Sequence, residues 1–398
     1  MSAFRSTKNF LIMTIFFSLI SCKGGSENVF NPPVDTEYDY NAKTLSDPFW
    51  ETSVIYQETV LLVQEEPTSL ATGKLQFSPH KILSIRDYTL QTEYIKDVDY
   101  VIENNVIVRL ENSAMPFLTS AHLNGDVVPE GFELKTTISN VTTDIVKMGG
   151  ALYTESPFYY GHQIQVSYVF NKLDANVSEY PTYQLESLPK LLAKLEDKSP
   201  VTVVGIGDSV LEGCSSSKFF NREPFLDTFF DLFVQNVERL FETQVESFNL
   251  SVGGKQSGWG VQAQQTNEII NKNPDLLLIH FGINDLGAGV SRNIFLDNLE
   301  AIILNVRNTN PDIEIMLLSP FAPNENIYDL IEMQKYVDNM HYLSNHHEGV
   351  VVVDVFKLSL EVLKEKKYFD VTGNGINHVN DYSSRIYLSA LLNTIYKY

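Results

Sequence analysis

The chain of 398 residues is poor in cysteine and in positive charge, and it has no long apolar run. Its two cysteines are Cys22 and Cys214, too few for a framework of disulfides to hold the fold. Lysine and arginine total 29 against 50 aspartates and glutamates, a net charge of −21. A surface of that sign repels phosphate, which argues against a nucleic-acid partner and against an anionic membrane surface. The most apolar segment, Phe10–Ile20, is shorter than the ~20 residues that a membrane-crossing helix needs. No histidine pair has zinc-ligand spacing with a third ligand nearby, so neither a metal nor another cofactor is expected. What remains is ample for a core, with 43 % of residues hydrophobic and 20 % charged. The length suits two domains.

Arg5 and Lys8 precede Phe10–Ile20, the pattern of a signal peptide. Leu19-Ile20-Ser21-Cys22 ends that run, and Lys23-Gly24-Gly25-Ser26 follows. These residues resemble the lipobox of bacterial lipoproteins. The resemblance implies loss of residues 1–21, acylation of Cys22 and a lipid anchor in the bacterial cell envelope, on its periplasmic or surface face. The plainer alternative is a secretory signal with an incidental cysteine. With Cys22 acylated, Cys214 has no intrachain partner and reads as a small semi-buried side chain, since no neighbour in sequence is placed to activate it.

Residues 22–49 read as a polar linker containing Asn31-Pro32-Pro33. Residues 50–172 have a β texture: "SVIYQETVLLVQ", "GKLQFSPHKILSIRDY", "DYVIENNVIVRL" and "HQIQVSYVF" follow one another with turn residues between. Such spacing suggests an all-β sandwich. Residues 173–199 read as a second linker with a short helix near Leu188–Leu195. Beyond residue 200, strands are expected at 201–206, 244–249, 276–281, 313–318 and 350–355. Helical patterns lie at Phe225–Phe241, Gln256–Asn271, Ile294–Asn308, Tyr328–Leu343 and Ser383–Tyr396. Apolar strands alternating with helices indicate a parallel five-stranded sheet covered on both faces, a three-layer α/β/α domain of flavodoxin-like type over residues 200–398. Reactive groups of such sheets gather beyond the C-terminal strand ends.

Four short segments fall at those ends or near the C-terminus. Gly207-Asp208-Ser209 follows the first strand, and "NLSVGGKQSGWG" follows the second. Gly282-Ile283-Asn284-Asp285 follows the third, and "TGNGINHVNDYSSRIYL" lies near the C-terminus. A serine, a glycine amide, a carboxamide and a histidine are the parts acyl transfer requires: a nucleophile, oxyanion donors and a general base. Gly and Asp beside the serine are also ordinary turn residues, and Asp208 and Asp285 read first as turn organisers. No Gly-x-Ser-x-Gly elbow surrounds Ser209, which speaks against an α/β-hydrolase nucleophile.

In those four blocks, in their order, residues 200–398 resemble the SGNH/GDSL hydrolases. The resemblance implies that Ser209 is the nucleophile and His378 the base. It also implies that the Ser209 amide, the Gly254 amide and the Asn284 side chain form the oxyanion hole. A glycine at 254 leaves room for the acyl carbonyl. The family commonly has Asp three residues before the histidine, where this chain has Gly375. A dyad with Asp370, Asn374, Asp381 or a backbone carbonyl orienting His378 is therefore expected. Trp259, beside Gly254, reads as core or as a sugar-stacking residue, and Asp208 is a further substrate-contact candidate. "SPFYYGH" (156–162) reads first as a β-edge of the sandwich, with a sugar-facing aromatic surface as the alternative. A β-sandwich ahead of such a domain is similar to the two-domain bacterial carbohydrate acetyl esterases. That likeness implies O-deacetylation of a poly- or oligosaccharide. The alternatives are a lipid- or thioester-directed acylhydrolase and an inactive carbohydrate-binding envelope lipoprotein. No feature assigns a protein partner or an oligomeric state.

Overall fold

The computed structural model describes residues 45–175 and 180–398. The signal peptide, Cys22 and residues 23–44 lie outside the described residues.

The second half of the chain is built on one five-stranded parallel sheet. Its order in space is Val245–Asn249, Val201–Gly207, Leu276–His280, Glu314–Leu318, Val350–Val353. In chain order this is second, first, third, fourth, fifth, the doubly wound order of flavodoxin-like folds, with its switch point beside the first strand. The three central strands and the fifth are apolar and buried along almost their whole length, as strands covered by helices on both faces must be. Register is parallel throughout, with Val204 beside Leu277 and Leu278 beside Met316. The helices Phe229–Phe241, Arg292–Arg307, Leu330–His346 and Asp381–Ile395 pack against it. Each begins on a side-chain cap, Thr228, Ser291, Asp329 and Asn380 respectively, which satisfies an amide that the first turn leaves without a partner. The segment expected to be one helix at Gln256–Asn271 is two, Ser257–Gly260 and Ala263–Asn271. Val355–Leu363 is a helix that the sequence pattern concealed, because Asp354 caps it directly at the end of the apolar strand.

The first half is β-rich, as three small sheets. Val54–Leu61, Gln163–Phe170 and Pro79–Asp87 pair antiparallel, with Gln163–Phe170 in the middle and buried along its whole length. Tyr100–Glu103, Val106–Arg109, Thr72–Lys74, Val63–Gln64 and Leu118–Thr119 form a second sheet. Ala151–Thr154, Asp144–Met148 and Glu133–Lys135 form a third. Two of the pairings are parallel, Val63–Gln64 with Leu118–Thr119 and Glu133–Lys135 with Asp144–Met148. The described ends of both linker segments are packed rather than free. Phe49 and Trp50 meet ring to edge at 5.0 Å, and Leu185, Leu188, Leu191 and Leu195 are buried.

The described residues belong to one compact unit, and one apolar cluster runs through both halves, from Ile85 and Val166 to Val203 and Leu388. Polar groups stitch the seam. Lys366 Nζ lies 2.6 Å from Glu58 Oε1 with both side chains inaccessible, and Tyr168 gives its hydroxyl proton to the other carboxylate oxygen at 2.6 Å. The Asp370 carboxylate accepts from the Leu61 amide at 2.7 Å. Gln163 donates to the Phe369 and Thr372 carbonyls at 2.7 and 3.0 Å. Asn380 donates to Thr59 and to Gln163, at 3.0 Å each. These contacts fall on residues 366–380, the stretch that carries His378, so the β-rich half forms the bed on which that stretch lies.

Candidate active site

The first strand of the parallel sheet ends at Gly207. Asp208 then takes an extended conformation (φ −98°, ψ −163°) and caps a single helical turn, Ser209–Glu212, accepting from the Val210 amide at 3.0 Å. The turn presents the Ser209 hydroxyl 2.9 Å from Nε2 of His378. A serine oxygen held against an imidazole nitrogen can be deprotonated during attack on a carbonyl. The structure thus brings Ser209 and His378 together from opposite ends of the domain.

The loop carrying His378 is held by its own side chains. Asn374 Oδ1 accepts from the Ile376, Asn377 and His378 amides, each at 3.0 Å, while Thr372 Oγ1 donates to the His378 carbonyl at 3.0 Å. Asn374 therefore orients the backbone of the histidine and does not face its ring, a correction to its expected role. Asp370 is turned inward to the Leu61 and Lys367 amides. Burial raises its pKa, and Lys366 offsets this in part. Asp381 accepts from the Ser217 amide at 2.8 Å, and burial pushes its carboxyl up to about 6. Both aspartates are occupied by backbone amides elsewhere, so neither is the orienting group expected of it.

The carboxylate that faces Nδ1 of His378 is Glu155, with Oε1 at 3.5 Å. It follows the strand Ala151–Thr154 in the β-rich half. Burial pushes its pKa up, but the His378 imidazole, the Tyr153 hydroxyl and Asn374 outweigh burial and hold it below the ordinary glutamate value. Gly375, at the position where aspartate was missing, has φ +86° and lies against the same strand. A Cβ there would stand 2.1 Å from the Leu152 carbonyl oxygen. No sequence pattern marks Glu155, which is remote from every motif block. The one signal was negative, the glycine at 375.

The segments after the next two strands complete the same edge of the sheet. The Leu250 and Val252 amides donate to the Gly205 and Gly207 carbonyls at 2.8 and 3.1 Å, prolonging the ladder past Asn249. Asn249 Nδ2 donates to the Leu211 carbonyl at 2.7 Å, fixing the loop to the Ser209–Glu212 turn. Gly254 is exposed with φ +74°, and a Cβ on it would meet no protein atom within 4 Å. Its backbone conformation, not crowding by the protein, is thus what favours glycine. Asn284 Nδ2 donates to the Lys255 carbonyl at 3.1 Å, which uses one N–H and leaves the second. Neither the Ser209 nor the Gly254 amide donates to an acceptor among the described residues. The Asp285 carboxylate accepts from Ser257 at 3.0 Å and stays buried, its pKa raised by burial. It is an organiser of the loop after Gly254.

Other candidates fall into structural positions. Asp208 is 1 % exposed and sits 3.0 Å from Nδ1 of His280, beneath the nucleophile turn, so it contacts no substrate. His280 is buried between Asp208 and the Tyr387 hydroxyl. His347 meets Glu300 at the end of the Leu330–His346 helix. Trp259 is half-buried against Phe281, ring centroids 6.4 Å apart, and Lys255 Nζ lies 5.8 Å from its ring. Cys214 is partly buried, and burial first, then Glu212, Glu155 and Asp208, push its thiol up to about 12. That value keeps it protonated, hence a poor nucleophile. Among the described residues no group of three or more His, Cys, Asp or Glu is arranged to hold a metal, and no helix is long and apolar enough to cross a membrane.

A serine, a histidine and a carboxamide are thus gathered at the carboxyl edge of a doubly wound parallel sheet. Residues 206–385 match the model of the GDSL-like lipase/acylhydrolase family. No curated protein matches the chain. Among solved structures it is similar to a two-domain esterase active on acetylated mannans, co-crystallised with mannopentaose: 18 % identity, 54 % of each chain covered, TM-score 0.43. The chain thus spans about half the length of that protein. It is also similar to an acetyl-xylooligosaccharide esterase from Geobacillus Stearmophilus, at 18 % identity over 48 % of this chain and 92 % of the other, TM-score 0.39. LAE5, an α/β hydrolase from the metagenome of Lake Arreo, matches at 21 % identity over 48 % and 93 %, TM-score 0.40.

Proposed function

We propose that the protein is a serine esterase that removes short acyl groups, in particular O-acetyl groups, from a poly- or oligosaccharide. The observation that carries the reading is the 2.9 Å contact between Ser209 Oγ and His378 Nε2. Ser209 Oγ attacks the ester carbonyl while His378 Nε2 takes its proton. The resulting oxyanion receives hydrogen bonds from the Ser209 amide, the Gly254 amide and the free N–H of Asn284 Nδ2. Collapse breaks the bond to the sugar oxygen, which takes the proton from His378 and leaves as the alcohol. Water, deprotonated by His378, then attacks acyl-Ser209 and releases the carboxylic acid with the serine hydroxyl restored.

Two features favour a small acyl group on an uncharged carrier. A cavity of about 580 Å³ is lined by Tyr159, Asn324, Leu363, Lys367 and Tyr368, and by none of Ser209, Gly254, Asn284 or His378, so it offers no chain pocket at the nucleophile. The net charge of −21 disfavours anionic thioester carriers and anionic lipid surfaces. In this reading Cys22 carries lipid and tethers the enzyme to the cell envelope, where acetylated glycans are met. The test compares p-nitrophenyl acetate, butyrate and long-chain esters, followed by a panel of acetylated glycans assayed for acetate. Acetate preference that vanishes in Ser209→Ala supports the proposal, and a preference for long chains overturns it.

A further inference from the structure

We propose that Glu155, supplied by the β-rich half, is the positioning carboxylate of His378, so that the two halves of the chain form a single catalytic unit. The inference rests on the serine-esterase reading above. Its geometry is independent of the motif blocks. Nδ1 of His378 is buried and has no hydrogen-bond partner, and Oε2 of Glu155 is buried and likewise unpartnered. The other carboxylate oxygen, Oε1, lies 3.5 Å from that nitrogen. A separation of this size is at the outer limit of a hydrogen bond and shortens as positive charge develops on the ring.

Glu155 is itself held from several sides. The Tyr153 hydroxyl donates to Oε1 at 3.0 Å, and Arg222 donates to the Glu155 backbone carbonyl at 2.9 Å. Arg222 in turn lies over the rings of Tyr160 and Phe220, at 4.6 and 4.5 Å. The strand before it docks on the histidine loop, with the Thr154 amide donating to the Asn374 carbonyl at 3.1 Å. The groups facing the carboxylate are therefore His378, Tyr153, Asn374 and the protonated Cys214 thiol. Gly375 completes the account. An aspartate in the usual place would collide with the Leu152 carbonyl, whereas the glycine lets the strand that carries Glu155 approach. The carboxylate comes from the neighbouring half of the chain rather than from the histidine's own loop.

A carboxylate at Nδ1 selects the tautomer with its proton there, leaving Nε2 free to accept from serine, and it stabilises the imidazolium. The test uses full-length Glu155→Gln and Glu155→Asp. In Glu155→Gln, kcat on p-nitrophenyl acetate falls on the order of 10²–10⁴-fold, with KM little changed, because the wrong tautomer is favoured. The low-field Nδ1 proton resonance, assigned by its absence in His378→Ala, disappears. Glu155→Asp, still charged, recovers part of the rate and carries the test should the glutamine variant unfold. Wild-type rate and a retained Nδ1 resonance in Glu155→Gln overturn this proposal while leaving the esterase reading intact. A wild type that hydrolyses no ester overturns that reading and this one together.

Discussion

Replacing Gly375 by aspartate puts the carboxylate where the family commonly has it, yet the structure predicts a less stable and no more active enzyme. Two costs add at that position. Gly375 has φ +86°, and a non-glycine residue held in such a region costs about 1–3 kcal/mol. The new Cβ would stand 2.1 Å from the Leu152 carbonyl oxygen and 2.6 Å from Tyr159 Cε2. Neither neighbour gives easily: Leu152 belongs to the strand Ala151–Thr154, and the Tyr159 hydroxyl is bonded to that same carbonyl at 2.9 Å. Forcing atoms into a packed site typically costs a further ~1–3 kcal/mol. Together the loss is about 2–6 kcal/mol, a large part of the stability of an ordinary domain. Relief requires the strand to move outward, which draws Glu155 away from His378. Urea unfolding followed by far-UV circular dichroism measures the first effect, and the rate per folded molecule on p-nitrophenyl acetate measures the second. A Gly375→Asp protein as stable as wild type would refute the packing argument. Recovery of activity in the Glu155→Gln/Gly375→Asp double variant would refute the assignment of Gly375 to the strand's approach.

Three further expectations are independent of that one. Under the proposed mechanism Asn284→Ala removes one oxyanion donor and should lower kcat by about 10²–10³, with an unchanged melting curve as the control for folding. Lys366→Met leaves Glu58 buried without its cation and should destabilise by about 3–5 kcal/mol, and adding Glu58→Gln should return much of that; urea titration of the three proteins reads both. Asp381, whose pKa is raised to about 6 against an ordinary value of 3.8, binds a proton in the folded state at pH values where the unfolded chain has lost it. Its contribution therefore falls as pH rises from about 4 to 6 and is constant above. Asp381→Asn, which keeps an acceptor for the Ser217 amide, should flatten that decline in denaturation curves taken across the interval.

The parallel half is legible in sequence because strands buried on both faces must be apolar runs, and runs such as Leu276–His280 and Glu314–Leu318 have little else they can be. Helix starts are less legible. Val355–Leu363 is hidden because its cap, Asp354, interrupts a stretch apolar on both sides. Ser209, Gly254, Asn284 and His378 lie in short blocks whose resemblance to the SGNH/GDSL hydrolases points them out. Glu155 has no such mark. Its role depends on packing between halves that are remote in sequence, and a glutamate after a strand is ordinary in any β-rich segment. Asp370 and Asp381, near in sequence to His378, were the natural expectation, but their carboxylates are taken up by the Leu61 and Ser217 amides. Nearness along the chain is a poor guide where a loop folds back on itself, as residues 372–379 do.

The account depends on Ser209 being the atom that takes the acyl group, and that is measurable without knowing the natural substrate. The protein is incubated with p-nitrophenyl acetate, quenched in acid during turnover, digested and mapped by mass spectrometry. The prediction is a single acetyl group on Ser209, absent in Ser209→Ala and strongly reduced in His378→Ala. An acetyl group found instead on Cys214, or p-nitrophenol released at the wild-type rate by Ser209→Ala, would contradict it.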